Sequence, residues 1–235
     1  MSVSDNPCIP IRAVVFDLDG TLVDSLPDLS DALNSALKEA GHPGGIPVEL
    51  VRDSLHDGLN GSVRAALDHL GLPPTLLPAI AQRYARLYDA HIARQTRPYP
   101  GVEAMLARMA DAGVRLGVCT NKGETQARHL LERLGLAWRF DVVIGADTLA
   151  RSKPDPAPLR AALGRLGGVE CQALMVGDSQ VDLDCARAAG LACAIHAGGY
   201  GRFESGAEPA DLYFNSYCGV DIEGLFAFVM RNRRW

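Results

Sequence analysis

Two acids follow a short apolar run near the start of the chain: Ala13-Val14-Val15-Phe16, then Asp17 and Asp19 around Leu18. Two carboxylates this close repel unless something positive sits between them. The pair suits a hard cation together with a nucleophile and a proton-transfer group; the alternative is a polar strand end whose acids cap the following turn. Thr120-Asn121 offers a hydroxyl and an amide ahead of a helix, which suits phosphate oxygens or simply an N-cap. Lys153, in Ser152-Lys153-Pro154-Asp155-Pro156, can neutralise a phosphate and a nearby carboxylate, or stand in solvent as loop lysines usually do. In Gly177-Asp178-Ser179-x-x-Asp182, Asp178 can join Asp17 and Asp19 around one cation. Asp182, one turn on, can orient metal-bound water or Lys153, or cap its own helix. All-oxygen ligation favours Mg²⁺ over zinc or copper.

These residues share one position in the pattern, the end of an apolar run. The first strand is expected at about 12–18, and others at Val114–Cys119, Asp141–Gly145, Ala173–Gly177 and Leu191–Ile195. Helical spacing fills the gaps: Val102 to Ala112, Glu124 to Leu134, Pro156 to Leu166 and 180–189. Strand and helix in alternation mean α/β architecture, a Rossmann-like parallel sheet with helices on both faces. Its ligands bind at the carboxyl edge. Residues 24–96 break the alternation with about four helices and no strand pattern. They read as an inserted all-helical module, with hinges near Val23–Pro27 and Gln95–Gly101. That leaves 1–23 and 97–235 as the core, with 1–11 a loose lead-in. Asp24 or Ser25 could cap the first inserted helix.

The 235 residues suit one domain carrying an insertion. A net charge of -5, with no basic cluster beyond Arg231, Arg233 and Arg234, argues against nucleic acid. Six scattered cysteines without a C-x-x-C pair form no evident zinc site or disulfide framework, so a reducing cytoplasm is expected. No stretch reaches 18 consecutive apolar residues, so membrane spanning is not expected. Oligomeric state is not legible.

The set Asp17-Leu18-Asp19-Gly20-Thr21-Leu22, Thr120-Asn121, Lys153-Pro154 and Gly177-Asp178-Ser179-x-x-Asp182 resembles the haloacid dehalogenase-like hydrolases in residues, order and spacing. Within them, Asp24-Ser25-Leu26-Pro27-Asp28-Leu29, Tyr99-Pro100-Gly101-Val102, Thr120-Asn121-Lys122 and Lys153 to Leu159 look like the bacterial phosphoglycolate phosphatases, although Leu55 to Gly61 departs from their glycine-rich pattern. The resemblance implies a helical cap over the site and an Mg²⁺-dependent phosphatase acting on a small phosphate monoester, 2-phosphoglycolate first. It implies Asp17 as nucleophile, Asp19 as acid and base, Lys153, Thr120 and Asn121 on the phosphate, Asp17, Asp19 and Asp178 on the metal, and Asp182 behind them. Sugar-phosphate phosphatases and β-phosphoglucomutase-like transferases share much of this pattern. A substrate carboxylate calls for a cation on the cap, and Arg64, after the Gly58 to Gly61 loop, is the expected one.

Overall fold

The computed structural model describes residues 11–167, 170–201, 203, 209–218 and 224. Residues 1–10 of the expected lead-in, Cys8 among them, and the three arginines near the C-terminus lie outside them.

Six parallel strands form the sheet: β1 (Ala13–Phe16), β4 (Arg115–Cys119), β5 (Val142–Ile144), β6 (Ala173–Gly177), β7 (Ala192–His196) and β8 (Leu212–Phe214). Their spatial order is β5-β4-β1-β6-β7-β8. β1 is central: Ala13 pairs with Arg115 of β4 and with Ala173 of β6. Strand side chains alternate between faces. Val14 and Phe16 join one apolar cluster, whereas Ala13 and Val15 join the other. A strand buried on both sides has no polar alternation, which is why the bare apolar runs read correctly. β8 is the strand that this reading misses. It is a three-residue edge whose burial passes from intermediate to exposed to buried, unlike the equally short but wholly buried β5.

Helices α5 (Val102–Asp111), α6 (Glu124–Arg133), α7 (Ala157–Leu166) and α8 (Gln180–Ala189) link the later strands. α7 and α8 cover the β1 face carrying Val15, packed through Leu159, Leu163, Leu183 and Ala186.

The four-helix insertion has the expected composition: α1 (Leu26–Glu39), α2 (Val48–Ser54), α3 (Gly58–His69) and α4 (Leu77–Ala90). Leu29, Leu33 and Leu37 of α1, Val63 and Leu67 of α3, and Ile80, Tyr84 and Tyr88 of α4 are buried together at helical spacing. Its two connections run side by side as an antiparallel ribbon, β2 (Val23–Asp24) with β3 (Arg97–Pro98). Asp28 fastens the outgoing connection to α1. Its carboxylate accepts the Gln95 N–H at 2.9 Å, the Thr96 N–H at 2.9 Å and the Thr96 hydroxyl at 2.7 Å. Two-residue strands carry no periodicity, so the sequence did not reveal the ribbon, which lies within the stretches expected to connect the insertion.

Candidate active site

Asp17 is the first residue past β1, and its N–H still donates to Val176 of β6 at 2.8 Å. The chain then turns at Gly20, whose φ is +86°. Only glycine tolerates both that backbone and the space, because a Cβ there would collide with Asp178 Oδ2. The loop is held from behind by His196 Nδ1, 3.0 Å from the Gly20 carbonyl, and by the Tyr217 hydroxyl donating to Thr21 at 2.9 Å.

Lys153 lies buried between two carboxylates. Its Nζ is 2.8 Å from Asp17 Oδ1 and 2.5 Å from Asp182 Oδ1. The other Asp182 oxygen caps α8, accepting the Ser179 N–H at 3.1 Å and the Ser179 hydroxyl at 2.6 Å. Of the three duties left open by the sequence, Asp182 therefore performs two, helix cap and lysine partner. Asp178 is held by its neighbours: Oδ2 accepts the N–H groups of Tyr200 at 2.6 Å and Gly201 at 3.0 Å, and Oδ1 accepts the Thr21 hydroxyl at 3.2 Å.

The electrostatics are short of positive charge. Burial pushes the Asp17 carboxyl up to about 6 despite Lys153, with Asp182 and Asp19 adding to the rise. Burial likewise pushes Asp178 well above the ordinary carboxylate range, with Asp182 and Asp17 adding to it. Burial disfavours the Lys153 charge, but Asp17 and Asp182 outweigh it and keep the ammonium firmly protonated. Asp17, Asp178 and Asp182 each present an oxygen within 4.8 Å of the other two. Such a set of hard donors, only partly neutralised, fits a hard divalent cation.

Asp19 departs from the expected carboxylate cage. Its side chain turns away to Ser25, whose hydroxyl donates to Oδ1 at 2.5 Å, and to Lys122, whose Nζ is 2.8 Å from Oδ2. Both carboxylate oxygens thus have donors from the hinge and the β4 loop, and the buried acidic cluster is completed by Asp182 instead. Asn121 also departs from expectation. Its amide donates to the carbonyls of His56 and Lys153, each at 3.0 Å, and accepts the Lys153 N–H at 3.1 Å. The side chain expected on phosphate instead fixes the Lys153 loop and touches the insertion. Thr120 is buried at the site, its hydroxyl accepting the Lys122 N–H at 3.2 Å.

Arg64 is misplaced by the sequence reading. The buried face of α3 is Gly61, Ser62, Val63, Ala66 and Leu67, so Arg64 falls with Asp68 on the exposed side. It is not among the residues lining the cleft, where the insertion's cation is Arg52. The cleft has a volume of about 540 Å³ and lies between the strand ends and the insertion, which also contributes Leu55, His56 and Leu59.

Three contributors had no assigned part in the site beforehand. Lys122 is buried, on Asp19 and 4.6 Å above the Tyr88 ring of α4. Burial disfavours its charge, but Asp19 outweighs that and raises its pKa. Ser25 was weighed only as a cap. Tyr200 spans from Asp178 to the hinge, its hydroxyl accepting the Ser25 and Leu26 N–H groups at 2.7 and 3.0 Å and donating to Asp24 at 2.5 Å. The glycine pair Gly198-Gly199 just past β7 was the available signal for it, since glycines at a strand end allow close backbone approach.

The model of the haloacid dehalogenase-like hydrolase family matches residues 14–196. A phosphoglycolate phosphatase of Rhodospirillum rubrum is 45% identical over 197 residues, covering 81% of each chain. One from Xanthomonas campestris is 39% identical over 189 residues, 80% of this chain and 84% of the relative. Among solved structures, a protein described as a predicted phosphoglycolate phosphatase from Haemophilus somnus superposes with a TM-score of 0.84 at 30% identity, covering 92% of this chain and 98% of that one. A CbbY mutant from Rhodobacter sphaeroides in complex with xylulose-(1,5)bisphosphate gives a TM-score of 0.78 at 27% identity, covering 90% of this chain and 96% of that one.

Proposed function

The chain belongs to the haloacid dehalogenase-like hydrolase family, and we propose that it is an Mg²⁺-dependent phosphatase hydrolysing a small phosphate monoester, 2-phosphoglycolate first, through an aspartyl-phosphate. The observation carrying this is the Lys153 ammonium seated between Asp17 and Asp182, beside a buried Asp178 whose charge has too little compensation. The named activity of the relatives supports the same conclusion.

Asp17 attacks phosphorus with one carboxylate oxygen, the bond from phosphorus to the ester oxygen breaks, and Asp19 gives its proton to the departing alkoxide. Water then attacks phosphorus, Asp19 takes the water's proton, inorganic phosphate leaves and the Asp17 carboxylate is restored. Lys153 and the Thr120 hydroxyl hold phosphoryl oxygens, and Asp182 keeps the lysine in place. Asp17 and Asp178 would hold the cation; once bound, it would offset the charge of the transferring group. Asp19 would first have to leave Ser25 and Lys122. We read 24–96 as a cap that excludes water and admits substrate by opening about the β2–β3 ribbon. The buried free thiols Cys119, Cys185 and Cys193 support a reducing compartment such as the cytoplasm.

The test is phosphate release from 2-phosphoglycolate, hexose phosphates and pyrophosphate, with and without Mg²⁺. Magnesium-dependent turnover highest on 2-phosphoglycolate supports the proposal; turnover indifferent to added or chelated metal sinks the metal role. A sugar phosphate is the second reading, because a cleft of about 540 Å³ has room beyond a two-carbon acid and the CbbY relative was solved with a sugar bisphosphate.

A further inference from the structure

The phosphatase chemistry leaves a buried ammonium in the cleft with no task. Lys122 is anchored at both ends of its peptide unit: its N–H donates to Thr120 Oγ1 at 3.2 Å and its carbonyl accepts the Ala146 N–H at 2.9 Å. The side chain therefore reaches into the cleft from a fixed base. It ends 2.8 Å from Asp19 Oδ2, with the Tyr88 ring of the insertion 4.6 Å from Nζ. This charge is only 4% exposed, so its partner matters: an ammonium removed from water needs an anion or donor-accepting atoms around it. In this structure that anion is the group assigned to proton transfer, and it is held with its other oxygen on Ser25.

A 2-phospho-acid carries its carboxylate one carbon from the ester oxygen. The group that protonates the ester oxygen and the group that binds the carboxylate must then be neighbours in the site. Asp19 and Lys122 are such neighbours. Arg52 also lines the cleft, but its Nε lies 3.3 Å from Asp53 and its side chain is 36% exposed, so its charge is already partnered and solvated.

We propose that Lys122 is the specificity residue for substrates bearing a carboxylate next to the phosphoester, and that the substrate carboxylate, by taking Lys122 from Asp19, releases Asp19 to act on the ester oxygen. This rests on the phosphatase proposal above and gives that site a reason to prefer a phosphorylated hydroxy acid over a neutral ester of equal size. Lys122 keeps its protons throughout; Asp19, freed from the pair, takes up from solvent the one proton that it gives to the ester oxygen, and returns to solvent the one that it later takes from the attacking water. One ion pair is exchanged for another.

The discriminating substrates are 2-phosphoglycolate, its neutral counterpart 2-hydroxyethyl phosphate, and 3-phosphooxypropionate, with the carboxylate one carbon further away. With saturating Mg²⁺, the wild type should prefer 2-phosphoglycolate to 2-hydroxyethyl phosphate by roughly thirtyfold or more in kcat/KM, as expected for a desolvated charge pair. It should also prefer it to 3-phosphooxypropionate. Lys122→Met keeps the stem over Tyr88 and removes the charge. It should lower kcat/KM on 2-phosphoglycolate at least tenfold while raising kcat on 2-hydroxyethyl phosphate, because Asp19 is no longer held. A merely structural lysine cannot move the two substrates in opposite directions. Equal losses on both substrates overturn the proposal, as does a preference that survives Lys122→Met and collapses in Arg52→Met. The wild-type series decides the matter even if Lys122→Met does not fold, since equal or better turnover of 3-phosphooxypropionate removes the adjacency on which the idea depends. A wild type that hydrolyses all three esters alike leaves the phosphatase standing and refutes this inference. A wild type inert to all three refutes both.

Discussion

Asp17 and Asp178 show how far a single side chain can be pushed by its surroundings. Asp17→Asn removes the attacking oxygen while keeping the volume, so kcat should fall by about a thousandfold or more. A folded variant that turns over near the wild-type rate, with deamidation excluded by mass spectrometry, would dismiss Asp17 as nucleophile. Asp178 is charged at a cost, since burial raises its pKa. Asp178→Asn should therefore melt higher than the wild type in chelator. Mg²⁺ at a hundredfold excess over Kd should raise the wild-type Tm by about 5–10 °C and shift the variant far less. Equal shifts in both would place the ion elsewhere. Arg64, exposed on α3, should tolerate Arg64→Ala with kcat/KM within about twofold of wild type; a selective loss on carboxylated substrates would reverse that assignment. The residues legible in advance, Asp17, Thr120, Lys153, Asp178 and Asp182, are polar groups at the ends of apolar strands or in a rigid loop, where burial makes chemistry the economical explanation. Lys122 stood in the same sequence motif, but loop lysines are usually solvated. Nothing in one dimension shows that α4 would close over it.

The turn that follows β1 rests on the end of β7. His196, the last residue of β7, is packed among Tyr99, Phe214 and Tyr217 with ring centroids 4.7, 5.4 and 5.0 Å away, and it touches the Gly20 carbonyl. Burial holds its pKa below the ordinary 6.5. Between the folded value and 6.5 the unfolded chain binds a proton that the native imidazole refuses, so stability rises with pH across that window and is lost as pH falls through it. Asp17 works the other way. Its carboxyl, raised from 3.8 to about 6, makes the native state bind the extra proton, so that contribution to stability falls as pH rises over that span. His196→Gln should remove only the first slope. Chemical denaturation between pH 5 and 7 measures it, and an unaltered slope in the variant would exonerate His196. The five strands read from the sequence are almost wholly buried, the three-residue β5 included. β8 is only partly buried and β2 and β3 have two residues each, so their pairing partners rather than an apolar run define them.

Taken whole, the molecule gathers its candidate site at one sheet edge, beneath the insertion. Residues from β1, β4, β6 and the loop after β5 converge there because parallel strands present their carboxyl ends together. The same arrangement imposes an order of assembly. Asp17 and Asp19 follow directly on β1, yet the strands that pair with β1, β4 and β6, lie about a hundred and about a hundred and sixty residues further along the chain. A ribosome therefore releases the strand that will be central long before either neighbour exists. The helices that follow it can form from local contacts at once, whereas one edge of β1 waits for β4 and the other stays unpaired until β6 emerges. A nascent chain stalled after Leu166 should already show the amide-exchange protection of α1 and α4 but not the full protection of Val14 and Val15. Its two aspartates would still lack the wall that makes them an enzyme.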